Sequence, residues 1–188
     1  QELSLITTVI EREVQRQMKL LEIKEELESR KAPTPSDEIY DVTEVFSDTD
    51  SNVIKGALGS GGVYAVKLEE FGGIVGKELQ PDRRFGTELS DYAKVFGKVE
   101  GIFHTDELPG YGITEEEVEE LKDSVGASEQ DAVVIIADEE NKARKGLEAV
   151  IDRAQKALTG VPEETRRALS EGNTEYMRPL PGAARMYV

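Results

Sequence analysis

The chain has 188 residues, of which 38% are hydrophobic and 33% are charged, and its formal net charge is −16. This composition fits one domain with flanking segments and is too apolar for a disordered chain. The absence of cysteine excludes disulfides and thiolate metal sites. The excess of acidic residues disfavours non-specific binding to nucleic acid, so we expect any such contact to be local.

The first 30 residues carry the pattern of one long helix. Apolar residues recur at steps of three and four, which predicts a helix over residues 3–30; they are Leu3, Ile6, Ile10, Val14, Met18 and Leu21. The opposite face carries Glu11, Arg12, Arg16, Lys19, Glu22 and Glu26. Pro33 and Pro35 end the helix, and 31–38 is predicted to be a linker. A helix of this length outside the next domain indicates attachment to something larger.

A compact domain is predicted over residues 39–158. Its predicted strands are 41–46, 63–69, 98–104 and 131–138, and its predicted helices are 51–58, 87–97, 114–121 and 143–158. The apolar run DAVVIIAD at 131–138 predicts a central strand with both faces covered, and Thr114 with Glu117 forms a capping box. The fold class is therefore α+β, a two-layer sandwich of a mainly antiparallel sheet with helices.

The C-terminal segment, residues 159–188, differs in character from the domain. Pro162 at a first helical position predicts a helix over 161–169. The strip YMRPLPGAARMYV at 176–188 follows it and is predicted to be irregular because it contains two prolines and a glycine. Its only charged residues are Arg178 and Arg185.

Three motifs resemble binding sites but have simpler interpretations. DTDSN at 48–52 begins like a calcium loop, yet Val53 and Gly59 stand where such a loop needs glycine and glutamate, so helix capping is the better interpretation. The glycine-rich run 56–62 lacks the ending of a phosphate-binding loop and reads as a helix end and turn. His104, the single histidine, could serve metal or acid–base chemistry, but a hydrogen-bonded loop residue is favoured.

A modest basic cluster lies beside Phe71 and Phe85. Its members are Lys67, Lys77, Arg83 and Arg84. These side chains could contact RNA, or they could balance the neighbouring acidic residues, which is the favoured interpretation. The acidic residues are Glu69, Glu70, Glu78 and Asp82.

Several stretches resemble the E subunit of the archaeal glutamyl-tRNA(Gln) amidotransferase. They are QELSLITTVIEREVQRQMKLLEI, DVTEVF, SNVIKGALGSGGVYAVKL, HTDELPGYGIT, GVPEETRRAL and YMRPLPGAARMY. The resemblance covers nearly the whole chain in the same order. It implies a GAD domain over 39–158, a kind of domain also inserted in bacterial aspartyl-tRNA synthetases. It further implies the end of a catalytic cradle domain over 1–38 and a return toward that cradle over 159–188.

The resemblance implies a cytoplasmic enzyme that converts Glu-tRNA(Gln) to Gln-tRNA(Gln). ATP and Mg²⁺ would activate the glutamyl group, and an asparaginase-like D subunit would supply ammonia. The partners implied are this ammonia-supplying subunit, tRNA(Gln) and the remaining cradle, helical and tail domains, with no membrane. We expect this piece to hold no catalytic residue, no metal and no cofactor of its own, and further chain to lie on both sides of it.

The resemblance also places the C-terminal strip near the cradle that holds ATP and the tRNA end. We therefore expect Arg178, Arg185 and Tyr176 to brace that site or contact tRNA, with a salt bridge to a cradle acid as an equal alternative for the arginines. Two rival interpretations remain. One is the GAD insertion of an aspartyl-tRNA synthetase, which the flanking motifs disfavour. The other is a purely structural interaction module.

Overall fold

A computed structural model describes residues 2–180 of the chain. Its α-helices are α1 (Glu2–Ser29), α2 (Asn52–Leu58), α3 (Phe85–Gly97), α4 (Glu115–Val125) and α5 (Glu140–Ala157). Its strands are β1 (Tyr40–Asp41), β2 (Gly62–Leu68), β3 (Glu78–Gln80), β4 (Arg83–Arg84), β5 (Phe103–His104), β6 (Ala132–Asp138), β7 (Glu164–Ala168) and β8 (Thr174–Pro179). No helix among the described residues is long and apolar enough to cross a membrane.

The main sheet has four antiparallel strands in the order β1-β2-β6-β5. Strands β2 and β6 pair along seven residues each and form its centre. Because side chains alternate along a strand, Val134 and Ile136 join one core cluster and Val133 and Ile135 join the other. The α+β class, the antiparallel sheet and the covered central strand are confirmed.

Helices cover both faces of this sheet. The larger core lies between the sheet and helices α3 and α5, and it also contains Leu20, Ile23 and Leu27 of α1. The second face carries a thinner layer made of α2, α4 and a 3₁₀ turn at Thr43–Phe46. The predicted helix-on-sheet layer is therefore present, with smaller helices on the opposite side.

Local hydrogen bonds explain where several elements begin. The Ser51 hydroxyl accepts from the Ile54 N–H and caps α2, which confirms the capping interpretation of 48–52. Thr114 and Glu117 form the predicted reciprocal capping box at the start of α4.

Two predicted strands are shorter than expected. In 98–104 only Phe103 and His104 pair with β6. In 41–46 the strand ends at Asp41, because its carboxylate accepts from the Thr43 N–H at 3.0 Å and turns the chain.

The predicted helix over 161–169 is wrong, and so is the irregular path of the first part of the following strip. The chain instead forms the antiparallel hairpin β7–β8. Alternation in β7 turns Glu164 and Arg166 inward, with side chains 2% and 11% exposed, while Arg167 is 63% exposed. The charged partners available to Glu164 and Arg166 outweigh the local helical preference. The rest of the strip, 181–188, lies outside the described residues.

Helix α1 is confirmed, but the side that packs on the domain combines Arg16 of the predicted charged face with three leucine and isoleucine residues that belong to neither predicted face. Arg16, Leu20, Ile23 and Leu27 are the buried positions. Two glycines of the C-terminal segment lie close to this helix: a Cβ on Gly172 would stand 2.4 Å from a Thr8 methyl, and one on Gly160 would stand 3.5 Å from a Leu21 methyl. The hairpin therefore runs alongside α1.

Candidate functional site

Five charged side chains, four of them buried and the fifth 11% exposed, meet where α1, α3, α5 and β7 come together. We call this cluster the charged junction; it consists of Arg16, Glu88, Arg153, Glu164 and Arg166. The side chains of Arg16, Glu88, Arg153 and Glu164 are at most 2% exposed. Buried charges are tolerated only when they are paired, so the pairing here fixes how these four elements sit together.

Glu88 lies at the centre of the junction. Its Oε1 accepts from Arg16 Nε, and its Oε2 accepts from Arg153 Nη2 at 2.8 Å and from Arg153 Nε at 3.2 Å. Arg166 Nη2 lies 3.5 Å from Oε1. Three guanidinium groups from three separate elements therefore converge on one carboxylate.

Glu164 forms the second centre. Its Oε1 accepts from Arg16 Nη2 at 2.8 Å and from Arg166 Nη1 at 2.7 Å. Glu13, on the rim, accepts from Arg16 Nη1 at 2.8 Å. Three arginines thus face three glutamates, and the cluster is balanced in charge when all of them are ionised.

The charges of the junction stabilise one another. Burial alone would raise the pKa of the Glu88 carboxyl, but Arg153 and Arg16 hold that pKa well below its usual range. Burial would likewise lower the pKa of Arg16, whereas Glu88 raises it. The Arg153 guanidinium also lies over the Phe85 ring, 5.0 Å from its centroid. Glu88 and Arg16 are therefore expected to stay charged at neutral pH.

Two tyrosines extend the junction toward the hairpin. The Tyr92 hydroxyl donates to Glu164 Oε2, and the Tyr92 and Tyr176 rings stack with centroids 4.0 Å apart. Burial and Glu164 raise the pKa of Tyr92, and burial, Glu164 and Asp152 raise the pKa of Tyr176 to about 12. Both rings are therefore neutral at physiological pH, and Tyr176, only 3% exposed, packs the hairpin onto α3.

A set of amide and hydroxyl contacts ties the hairpin tip to α1. Arg12 donates to Asn173 Oδ1 at 2.7 Å, and the Thr174 hydroxyl donates to Glu13 Oε2 at 2.9 Å. Gln80 bridges the two elements, because it donates to the Arg12 carbonyl and accepts from the Thr174 N–H. Each polar group named here has a partner.

Arg16 is the junction residue that the helical pattern could have identified. It precedes Leu20 by four positions, Ile23 by seven and Leu27 by eleven, so it lies in line with the three buried apolar residues of α1. An arginine in such a row indicates a buried partner. Its two buried partners, Glu88 and Glu164, lie 72 and 148 positions away, and no local pattern predicts those pairings.

The basic residues singled out by the sequence are not gathered into one patch. Lys67 lies 3.7 Å from Glu69 and donates to the Gly126 carbonyl, beyond the end of α4. The other three lie near β3 and β4 and have partners within the chain. Lys77 contacts Glu22 at 3.0 Å, Arg83 contacts Asp91, and Arg84 donates to the Gly76 carbonyl at 2.6 Å.

Of the two arginines in the strip 176–188, only Arg178 lies within the described residues. Arg178 is exposed on β8 opposite Thr165, and it forms no ion pair with residues 2–180. Arg185 lies outside the described residues, so its role stays a prediction.

His104 is buried at the edge of the main sheet. Its Nε2 lies 3.6 Å from the Glu107 carboxylate, and its Nδ1 has no hydrogen-bond partner among the described residues. Burial lowers the pKa of His104, although Glu107 and Asp106 oppose this effect. Asp106 is engaged elsewhere, because its carboxylate accepts from the N–H groups of Gly73 and Gly76. In residues 2–180 no group of three or more acidic or histidine side chains could hold a metal ion.

The family comparison covers the part of the chain that holds strands β2, β5 and β6 of the main sheet. A family model described as GAD domain matches residues 53–147, just over half of the chain. The chain belongs to the GAD domain family. The match lies inside the predicted domain 39–158. Glu88 is within the matched part, whereas Arg16, Arg153 and Glu164 lie outside it, so the charged junction joins the GAD domain to its flanks.

Curated relatives match the chain from end to end. It is 61% identical over 189 residues to the E subunit of glutamyl-tRNA(Gln) amidotransferase from Methanocaldococcus jannaschii. Proteins of the same name from Methanosarcina barkeri and Methanococcus maripaludis are 59% and 57% identical over 187 and 188 residues. The resemblance to the E subunit is thereby confirmed. All of this chain is covered in each match, and it spans 29–30% of the length of these relatives.

Proposed function

We propose that this chain is the GAD-containing part of the E subunit of a tRNA-dependent amidotransferase that converts Glu-tRNA(Gln) to Gln-tRNA(Gln). The observation that carries the proposal is the 57–61% identity over the whole chain. Because that identity includes α1 and the hairpin as well as the GAD match, it favours the amidotransferase over a GAD domain inserted in an aspartyl-tRNA synthetase.

Within that enzyme, the segment positions other parts and performs no chemical step. The buried carboxylates and guanidinium groups of the junction are paired with one another and have no access to a substrate. Ion pairs that only hold a fold together also shift pKa values, so the shifted pKa values in the junction do not by themselves indicate catalysis. Activation by ATP and Mg²⁺, and the use of ammonia from the D subunit, belong in this proposal to the parts of the enzyme outside this chain.

The positioning follows from the junction. Arg16 on α1 and Glu164 on β7 both lie on the flanks, and both are held against the GAD domain by the same network. Planar guanidinium groups with paired hydrogen bonds fix orientation as well as distance. Small displacements of reacting groups reduce the reaction rate by large factors. A rigid connection would therefore hold the remaining domains in the relative positions that the reaction needs.

The experiment is a transamidation assay on the complete E subunit that contains this chain, together with its ammonia-supplying partner. We expect Gln-tRNA(Gln) to form from Glu-tRNA(Gln) only when ATP, Mg²⁺ and an ammonia donor are present. A folded complex that forms no Gln-tRNA(Gln) under these conditions would contradict the proposal.

The segment's contribution to tRNA affinity is tested separately. Residues 106–145 contain thirteen acidic and four basic residues. This excess of negative charge favours a segment that does not bind RNA. The salt dependence of tRNA binding by the complete E subunit should therefore be the same with and without Lys77→Gln and Arg84→Gln. Each lost phosphate contact would reduce the slope of log K against log salt by roughly 0.7–0.9, and such a reduction would favour an RNA-contacting role.

A further inference from the structure

A cleft of about 700 Å³ lies at one edge of the main sheet, beside the end of β6. One wall is α2, and the other is the segment 98–103 together with the start of α5. The end of β6 contributes Ala137 and Asp138 to the lining. We call this space the edge cleft; it shares no residue with the charged junction.

The edge cleft lies where a longer β5 would run. That strand pairs with β6 only through Phe103 and His104, and the same register would place Gly101 opposite Ala137. The chain turns toward α3 instead, because a Cβ on Gly101 would stand 3.7 Å from the Ser90 hydroxyl oxygen of that helix. Within residues 2–180, no strand therefore pairs with the end of β6 on this side.

Ala137 directs both of its backbone polar groups toward the cleft. The Val133 carbonyl accepts from the Thr105 N–H, and the Val133 N–H donates to the Thr105 hydroxyl, both at 3.0 Å. Because backbone groups alternate in direction along a strand, Ile135 and Ala137 face the same side as Val133. Ile135 lies opposite Phe103, whereas the N–H and C=O of Ala137 have no hydrogen-bond partner in residues 2–180. An unpaired strand edge of this kind is a template for a further strand.

The walls of the edge cleft leave room for small and apolar side chains. Val53 on α2 is 59% exposed, and the neighbouring Gly56 and Ala57 have almost no side chain. A Cβ on Gly56 would have nothing within 4 Å. Successive side chains of an added strand would point alternately toward α2 and toward the opposite wall, so both faces of such a strand would be covered.

The charges around the edge cleft favour a peptide over a nucleic acid. The lining contains two basic and three acidic residues, namely Lys98, Lys142, Glu100, Asp138 and Glu139. Binding to nucleic acid needs cations that face the phosphates, and carboxylates outnumber ammonium groups here. An extended peptide residue is uncharged in its main chain and offers the one C=O and one N–H that would pair with Ala137.

We propose that the edge cleft binds an extended, uncharged segment of another polypeptide, which pairs with Ala137 and adds a short strand to the main sheet. Main-chain hydrogen bonds give such a complex its affinity, and the side chains that face Val53 and Ile102 give it specificity. This inference goes beyond the proposed function, because it gives the GAD domain a protein-recognition role that is separate from transamidation.

The test measures peptide binding to the complete E subunit by saturation-transfer NMR, without its ammonia-supplying partner or tRNA. The probe is an acetylated and amidated pentapeptide of alternating threonine and valine, and its control is the same peptide with every main-chain N–H methylated. Gly56→Leu places a side chain in the cleft. Gly59→Leu is the matched control, because Gly59 lies in the same part of the chain, has equally open space around it and does not line the cleft.

We expect wild type and Gly59→Leu to bind the probe alike, and Gly56→Leu to bind it at least about tenfold more weakly. The methylated peptide should bind wild type at least about fivefold more weakly than the probe, because it cannot donate to the Ala137 carbonyl. This second comparison uses unaltered protein, so it decides the matter even if Gly56→Leu does not fold.

Four outcomes would overturn the inference. They are no binding of the probe to wild type, equal binding by folded Gly56→Leu, equal binding of the methylated peptide, and displacement of the probe by a short single-stranded RNA, which would assign the cleft to nucleic acid. Peptide binding is measured without turnover, so failure of this inference is distinguishable from failure of the proposed amidotransferase function.

Discussion

Replacing Glu88 by glutamine tests the charged junction most sharply, because it removes one charge and almost no volume. Glu88 accepts hydrogen bonds from Arg16 and Arg153, whose side chains are 1% and 0% exposed. A carboxamide has one oxygen and one NH₂ group, so only one of the two positions now held by Oε1, which faces Arg16 Nε, and Oε2, which faces Arg153, can still accept. Arg16 keeps Glu13 and Glu164 as partners, but Arg153 has no other carboxylate within 4 Å in residues 2–180.

The expected cost of Glu88→Gln is that of leaving a buried guanidinium uncompensated, about 3–5 kcal/mol in the free energy of unfolding. Equilibrium unfolding of the chain in urea, followed by circular dichroism, should show a lower midpoint with an unchanged slope. Glu148→Gln, an exposed change on α5, is the control and should cost less than about 0.5 kcal/mol.

The same variant has a pH signature. Because the pKa of Glu88 is lower in the folded state than its unfolded value of about 4.3, its stabilising contribution is present above pH 4.3 and is lost as the pH falls below it. The stability difference between wild type and Glu88→Gln should therefore shrink in acid. If Glu88→Gln costs no more than Glu148→Gln at pH 7, the junction does not hold the elements together and the reasoning fails.

Three further predictions follow from single residues. Ile136→Asp should lower the unfolding free energy by more than about 4 kcal/mol, because the side chain is buried in the central strand; an unchanged melting temperature would contradict the central position of β6. His104→Gln should keep transamidation within about tenfold. The variant should also show a flatter pH dependence of stability. Burial lowers the His104 pKa below its unfolded value of about 6.5, so only the wild type loses stability from this group as the pH falls below 6.5. Equal pH profiles of the two proteins would refute this. Arg185→Ala in the complete E subunit should slow transamidation about 10- to 1000-fold with little change in melting temperature, and unchanged turnover and tRNA affinity would reduce the strip to a connector.

The fold of the GAD domain was predictable where the pattern was local. The run at 131–138 identified its central strand because six consecutive apolar residues leave no solvent face, and Thr114 identified the start of α4 because a capping box is complete within four residues. The hairpin was missed for the opposite reason. Residues 161–169 satisfy local rules for a helix, and only the distant partners of Glu164 and Arg166 favour a strand.

The candidate site was less predictable than the fold. Tyr176 was identified through resemblance, and the structure places it against Tyr92. Arg16 was assigned to the charged face of the helix, opposite the apolar row. Its burial depends on Glu88, 72 positions away, and on Glu164, 148 positions away. Pairings over such distances are set by the assembled fold and have no signature in a single sequence.

A segment exchange tests most directly whether this chain serves as the positioning part of a tRNA-dependent amidotransferase. The segment of the Methanocaldococcus jannaschii E subunit that aligns with this chain, 61% identical over 189 residues, is replaced by this chain. The rate of Gln-tRNA(Gln) formation is then compared with that of the unmodified enzyme. We predict that the chimera keeps the rate within about tenfold, a barrier change of no more than about 1.4 kcal/mol. A folded chimera that binds its partners but has lost several orders of magnitude in rate would contradict the account.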